Sequence, residues 1–339
     1  MPAITVIMPA YRAERTVEWA IRSTLKALPD DGRILIRDDG SDDGTAAAVL
    51  RIRDVRVRLL QGENLGVAGG LQALLAEVET PLVARMDADD LCLPYRFKVQ
   101  LARLSRGADV VFGTVVPMTD QRAVASVPMP VGIGVREMPM HLLIANSVPH
   151  ATLAARISAL AALGGYRDSP AEDYDLWLRL TAAQVPVARH WLPVIRQRQH
   201  EGQLSTGDAW KQKLRADPLI RESYAALCLR VLGMPPAWMD PLMSAWLKES
   251  PVRTPALIDF GERIQERAAE LPYARREFLL RKMVQEILRC VTRRGSLWKG
   301  TQAGHPVAHI EHVDRVCPTN GFSGVHFRGF RRPACGRRR

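Results

Sequence analysis

Paired cysteines are missing from this 339-residue chain. Its five, Cys92, Cys228, Cys290, Cys317 and Cys335, are odd in number, widely spaced and never in a C-x-x-C pair. That argues against both a disulfide framework and a cysteine-based zinc site. The uncharged stretch from Val110 up to Asp120 is far too short to span a bilayer, which takes about 20 apolar residues. No leader is visible either, because the strand-like run Ile4-Thr5-Val6-Ile7-Met8 begins almost at the first residue, so a cytoplasmic protein is expected. There is no G-x-x-x-x-G-K-[ST], and no G-x-G-x-x-G follows the first strand. A P-loop NTPase and a dinucleotide dehydrogenase are therefore disfavoured.

What is present is enough for a packed core. The chain is 47% hydrophobic and 24% charged, which excludes wholesale disorder, and its length predicts about two domains. The net charge of +11 is unevenly placed: residues 1–205 carry 23 basic and 23 acidic side chains, whereas residues 206–339 carry 24 and 13. A neutral body with a basic C-terminal part could meet an anionic surface, and charge alone does not choose between nucleic acid and anionic lipid.

The first 115 residues alternate strand and helix patterns. Ile4–Met8, Arg33–Arg37, Val55–Leu60 and Leu82–Met86 read as strands, and Thr16–Leu28, Thr45–Arg53 and Ala68–Glu77 as helices between them. Such alternation predicts an α/β fold with a parallel sheet covered by helices on both faces. Asp42 and Asp43 are placed to cap the helix at Thr45. Residues 116–150 look irregular. Ser169-Pro170-Ala171-Glu172 has the form of a capping box, opening a helix from about Pro170 to Gln184 with Leu176, Trp177 and Leu180 facing inward. From about 208 the chain reads mostly helical, including the amphipathic Ile258–Arg293. The last 35 or so residues lose periodicity; His305, His309, His312 and Cys317 lack the paired cysteine that would support zinc there.

In an open parallel sheet, ligands bind beyond the carboxyl ends of the strands. Pro9-Ala10-Tyr11, Asp38-Asp39-Gly40-Ser41, Asn64-Leu65-Gly66 and Asp87-Ala88-Asp89-Asp90 all fall at such ends. Carboxylates crowded like Asp87, Asp89 and Asp90 raise one another's pKa unless a cation offsets them. Mn²⁺ or Mg²⁺, which favour carboxylate oxygens and bridge to phosphates, would do so, and the pattern points to a metal–diphosphate site.

Taken together, Val6-Ile7-Met8-Pro9-Ala10-Tyr11, Asp38-Asp39-Gly40-Ser41, Glu63-Asn64-Leu65-Gly66 and Arg85-Met86-Asp87-Ala88-Asp89-Asp90 resemble family 2 glycosyltransferases. The likeness continues through Leu93-Pro94-Tyr95-Arg96, Gly164-Gly165-Tyr166 and Glu172-Asp173-Tyr174-Asp175-Leu176-Trp177 to Arg198-Gln199-His200, ending near Ser205. It departs from the family at Gln72 and Leu75, in the helix after Gly66. The resemblance implies a GT-A fold, a Rossmann-like mostly parallel sheet flanked by helices, here with a helical C-terminal region. It divides the covered part into a nucleotide-sugar half (1–115) and an acceptor and catalytic-base half (116–205); composition and pattern add a helical basic region (206–300) and a basic, disordered tail (301–339).

It also implies an inverting, metal-dependent transferase that moves a sugar from a nucleoside-diphosphate sugar to a hydroxyl of a saccharide or lipid-linked saccharide. Pro9, Tyr11, Asp39 and Asp87 would contact the nucleotide, Asp89 and His200 the metal, and Asp173 would be the general base. The basic region would rest against an anionic membrane face. A non-catalytic nucleotide-sugar or saccharide-binding subunit with the same fold is the rival reading. Nucleic-acid binding is the weaker one, because it leaves the acidic loops unexplained.

Overall fold

Strand β1 (Ile4–Ala10) sends alternate side chains into two apolar clusters, with Ile4, Val6 and Met8 on one face of the sheet and Ile7 on the other. Strand β2 (Arg33–Asp38) does the same, with Ile34 and Ile36 opposite Leu35. Consecutive apolar residues are tolerated in these strands because helices cover both faces. The computed structural model describes residues 4–119, 122–123, 131–199, 213–214, 216–240, 243 and 255–291.

The remaining strands are β3 (Val57–Gln61), β4 (Leu82–Arg85), β5 (Leu91–Cys92), β6 (Val110–Thr119), β7 (Arg122–Ala123), β8 (Ala154–Arg156) and β9 (Val187–Arg198). They form one sheet in the order β3-β2-β1-β4-β8-β6-β9-β5, with β7 on β6. The first four pair in parallel, as the alternation predicts. Beyond β4 the sheet is mixed: β8 runs antiparallel to both β4 and β6, and β9 runs parallel to β6.

Helices α1 (Val17–Ala27), α2 (Thr45–Leu50) and α4 (Arg96–Leu104) cover one face through Val17, Ile21, Val49 and Phe97. The other face carries α3 (Gly66–Ala76), α5 (Met138–Ile144), the short α6 (Ile157–Ala161) and α7 (Glu172–Ala182). Outside α7 lie α8 (Pro218–Leu232), α9 (Pro255–Ala268) and α10 (Tyr273–Val291). Leu176, Trp177, Leu178 and Leu180 of α7 are all fully buried, because the helix packs on the sheet on one side and on α8 on the other.

Helix α8 starts and stops where its sequence says it should. Asp217 accepts from the backbone N–H groups of Leu219 (2.7 Å) and Ile220 (3.3 Å), Pro218 occupies the first turn, and Gly233 closes it at φ +73°. Asp217 also accepts from the Ser169 hydroxyl at 2.6 Å, which ties α8 to the loop entering α7. The expected capping box therefore does not form. Helix α7 opens at Glu172 with Ala171 at its N-cap, and Ser169 is held by Asp217 instead. At the start of α2 the N-cap is Gly44; Asp43, one residue before it, accepts from Thr45 N–H at 3.0 Å, whereas Asp42 pairs with Arg12.

Asp175, fully buried in α7, receives Arg167 at 2.5 Å, Arg179 at 2.9 Å and the Ser223 hydroxyl of α8 at 2.7 Å. Burial opposes its charge, yet these partners hold its pKa below the ordinary value. Trp177→Ala should cost about 3–5 kcal/mol of unfolding free energy, read by urea titration, because the indole is fully buried in a T-shaped contact with Phe112 at 4.7 Å between ring centroids. The half-exposed Trp191 gives the contrast, with Trp191→Ala costing about 0.5 kcal/mol or less.

Candidate active site

The strand ends bring the acidic residues to one edge of the sheet. Asp39 follows β2 and donates its N–H to the carbonyl of Ala10, at the end of β1, at 2.9 Å. Its buried carboxylate accepts from Leu65 N–H and from Arg37 Nε, each at 3.1 Å. Gly40 makes this approach possible: it sits at φ +76°, and a Cβ there would lie 3.0 Å from Asn64 N. Tyr11 is 48% exposed, with the Arg12 guanidinium 5.2 Å above its ring. Pro9, Tyr11 and Asp39 thus share neighbouring strand ends.

Next to them, β4 delivers Asp87, Asp89 and Asp90, each offering a carboxylate oxygen within 4.8 Å of the others. Arg85 Nη2 lies 2.6 Å from Asp87 Oδ1. Asp90 Oδ1 accepts from Arg198 N–H at 2.8 Å, and Arg198 Nε donates to the Asp89 carbonyl at 3.1 Å, so the end of β9 is tied to the acidic loop. Asp90 Oδ2 is buried and has no partner among the described residues. Burial, then the charges of Asp87 and Asp89, push the Asp90 carboxyl well above its ordinary range. A cluster of hard oxygen donors with one orphaned buried oxygen fits a divalent cation.

Behind the loop, the fully buried Arg96 donates to the carbonyls of Arg85 (2.6 Å) and Leu153 (3.2 Å) and to Gln100 Oε1 (3.0 Å), fixing the exit of β4.

Asp87 and Asp173 line the same cavity, of about 510 Å³. Asp173 stands in the first turn of α7, where its carboxylate accepts from Asn146 Nδ2 at 2.9 Å and from Tyr174 N–H at 2.6 Å. Burial raises its pKa against those hydrogen bonds. Pro9, Tyr11 and Asp39 lie outside this lining. His200 lies outside the described residues, as do the histidines of the tail.

Several neighbours of the site were given no role in it by the sequence. Glu172, assigned by the sequence pattern to a capping box, faces His150 Nδ1 at 3.6 Å, and burial followed by the Asp173 charge pushes its carboxyl up to about 8. His150 Nε2 meets the Tyr166 hydroxyl at 2.7 Å, and burial holds this histidine neutral. Asn146 from the loop after α5, Arg189 from β9 and Lys282 from α10 reach the cavity with no local pattern to announce them. Gln72, where the chain departs from the family pattern, accepts from Tyr166 N–H at 2.9 Å and donates to the Gly164 carbonyl at 3.3 Å. It fastens α3 to the turn before α7.

A curled α/β sheet with an acidic cluster at its strand ends and a carboxylate facing it from α7 defines the GT-A class of fold. Residues 5–140 match the sequence profile of glycosyl transferase family 2. EpsE of Bacillus subtilis (strain 168) is 33% identical over 193 residues, 52% of this chain and 66% of that one. The Escherichia coli UDP-Glc:alpha-D-GlcNAc-diphosphoundecaprenol beta-1,3-glucosyltransferase WfgD is 32% identical over 102 residues, 30% of this chain and 40% of its own. The chain thus spans just under two thirds of the first relative and less than half of the second. The structure of S. aureus TarS residues 1–349 in complex with UDP-GlcNAc superposes with a TM-score of 0.55 at 17% identity, covering 85% of this chain and 89% of that one.

Glu172 binds a proton more tightly folded, near pH 8, than at its ordinary 4.5, so the folded chain holds more protons than the unfolded one between those values. Its contribution therefore makes stability fall as pH rises from about 5 to 8. Glu172→Gln should flatten that fall when urea midpoints are measured across this range in EDTA. An unchanged slope would remove Glu172 as its source.

Proposed function

We propose that the protein is an inverting glycosyltransferase that moves a sugar from a nucleoside-diphosphate sugar to a hydroxyl of a saccharide or lipid-linked saccharide. The observation that carries this reading is the shared cavity of Asp87 and Asp173, which sets a candidate base opposite the acidic strand end. TarS, which shares the fold, was solved with UDP-GlcNAc and with UDP, and WfgD is named for a UDP-linked donor and a lipid-diphosphate acceptor. Both favour a UDP-sugar as the first donor to test.

In this reading the nucleotide lies along Pro9, Tyr11 and Asp39, with Asp87 beside it. Asp89, with Asp87 and Asp90, would hold Mn²⁺ or Mg²⁺, and a bound divalent ion supplies charge neutralisation for the leaving diphosphate. The acceptor oxygen attacks the anomeric carbon in line with the diphosphate and forms the new C–O bond. The old bond breaks, and the diphosphate leaves with its electron pair. Asp173 takes the acceptor proton. Asn146 and Tyr174 N–H fix the carboxylate's orientation, while burial raises its affinity for that proton. One displacement inverts the anomeric centre, with no covalent intermediate.

Calorimetry with UDP, GDP and dTDP, each with Mn²⁺ and then with EDTA, tests the donor site. One nucleotide should bind only with metal, and Asp89→Asn should abolish that binding while the melting temperature is retained. Failure of every nucleotide to bind folded protein would sink the reading. Asp173→Asn should lower turnover by about 10²–10⁴-fold with nucleotide affinity unchanged, since a base acts in the transition state. Near-normal turnover would remove Asp173 from the chemistry, whereas nucleotide binding with no turnover of any donor would favour the non-catalytic binding subunit.

A further inference from the structure

We propose that Arg189 and Lys282 form an anion subsite in the cavity of Asp173, and that it takes a phosphate or diphosphate borne by the acceptor near the attacked hydroxyl. The proposal rests on the donor-site reading above and adds the acceptor's chemistry to it.

The cavity wall carries Arg189 from β9 and Lys282 from α10 in addition to its carboxylates. Asn146 and Ser147 join the two sets. Asn146 donates to Asp173, while the next residue, Ser147, receives Arg189 Nη1 on its carbonyl at 2.7 Å and Lys282 Nζ on its hydroxyl. Successive Cα atoms are only about 3.8 Å apart. The base and both cations therefore attend one stretch of wall.

Arg189 is not balanced there. Its other Nη donates to the Val131 carbonyl at 3.0 Å, its buried Nε has no partner, and no carboxylate pairs with it among the described residues. Carbonyls satisfy N–H groups but leave the charge uncompensated, and burial lowers this guanidinium to about 10. His141, packed nearby, is kept neutral by burial and then by the charges of Lys282 and Arg189. Other arginines of the region are matched: Arg85 by Asp87 at 2.6 Å and Arg275 by Glu137 at 2.5 Å.

A bound anion offsets an uncompensated buried cation. Phosphate suits the pair, since Arg189 gives a fixed charge and Lys282 gives rotatable donors. The acceptor is the partner that brings it, because the cations share their wall with the base that must touch the acceptor hydroxyl. The donor's own diphosphate belongs at the acidic loop.

The test is calorimetry of the full chain with UDP and Mg²⁺ saturating, so that the donor diphosphate position is filled. Three octyl probes carry one N-acetylhexosamine as a glycosyl diphosphate ester, as a phosphodiester and as a neutral glycoside. A charged probe should bind about tenfold or more tightly than the neutral one. Lys282→Gln should bring that ratio to within about twofold with UDP affinity unchanged, and Lys282→Arg should retain it. Preference for the diphosphate identifies a lipid-carrier headgroup, and preference for the phosphodiester identifies a phosphate within a polymer. Equal or absent binding of charged and neutral probes by the wild type overturns the subsite, whatever the variants do. So does a ratio untouched by Lys282→Gln. If UDP itself does not bind, the donor reading has failed separately, and the same probe ratio measured without nucleotide still decides the subsite.

Discussion

Like-charge repulsion at the carboxyl edge of the sheet is the constraint on which the site depends. Asp87, Asp90, Glu172 and Asp173 are all buried enough for their proton affinities to rise, and each raises a neighbour's further or is raised by one. The fold meets this cost with partial remedies rather than one counter-ion. Arg85 pairs with Asp87, the Arg198 N–H serves Asp90, and Asn146 serves Asp173. Arg96 holds the backbone that presents the cluster without touching its carboxylates. What is left over, the buried Asp90 Oδ2, is where a cation has most to offer.

Positive charge shows a parallel distribution. Some basic side chains of the C-terminal part are paired locally along α9 and α10, where Arg263 meets Asp259 at 3.0 Å and Arg281 meets Glu277 at 2.9 Å. Such exposed pairs contribute little each. The cations that matter to the cavity are Arg189 and Lys282, inside the wall. A net charge computed from composition does not distinguish these two populations.

The parallel half of the sheet was legible because apolar strands and amphipathic helices alternate through residue 115 and each strand end carries a polar motif. The antiparallel entry of β8 was not, since a three-residue strand, Ala154-Ala155-Arg156, has no periodicity to read. At the site, Asp87 and Asp89 stood out as part of a visible acidic triplet, and Asp173 through the family resemblance. Asn146, Arg189 and Lys282 did not, because their meeting depends on β9 and α10 converging from distant parts of the chain. Glu172 was misread for a related reason. The Ser-Pro-x-Glu spacing fits a capping box, yet Asp217 of α8 claims the Ser169 hydroxyl, a tertiary contact that local sequence cannot announce.

The wedging of α7 between the sheet and α8 bears on how this chain can be divided. Asp173 sits one turn above Leu176 and Trp177, and the same helix carries Asp175, whose charge is shared with Ser223 of α8. Removing α8 would expose one side of α7 to water and leave a buried carboxylate short of a donor. The C-terminal helices are therefore not an interchangeable appendage to a self-sufficient catalytic module. A chimera that exchanges them for those of a relative inherits the positioning of Asp173 only if the replacement brings its own counterpart of Asp217 and Ser223.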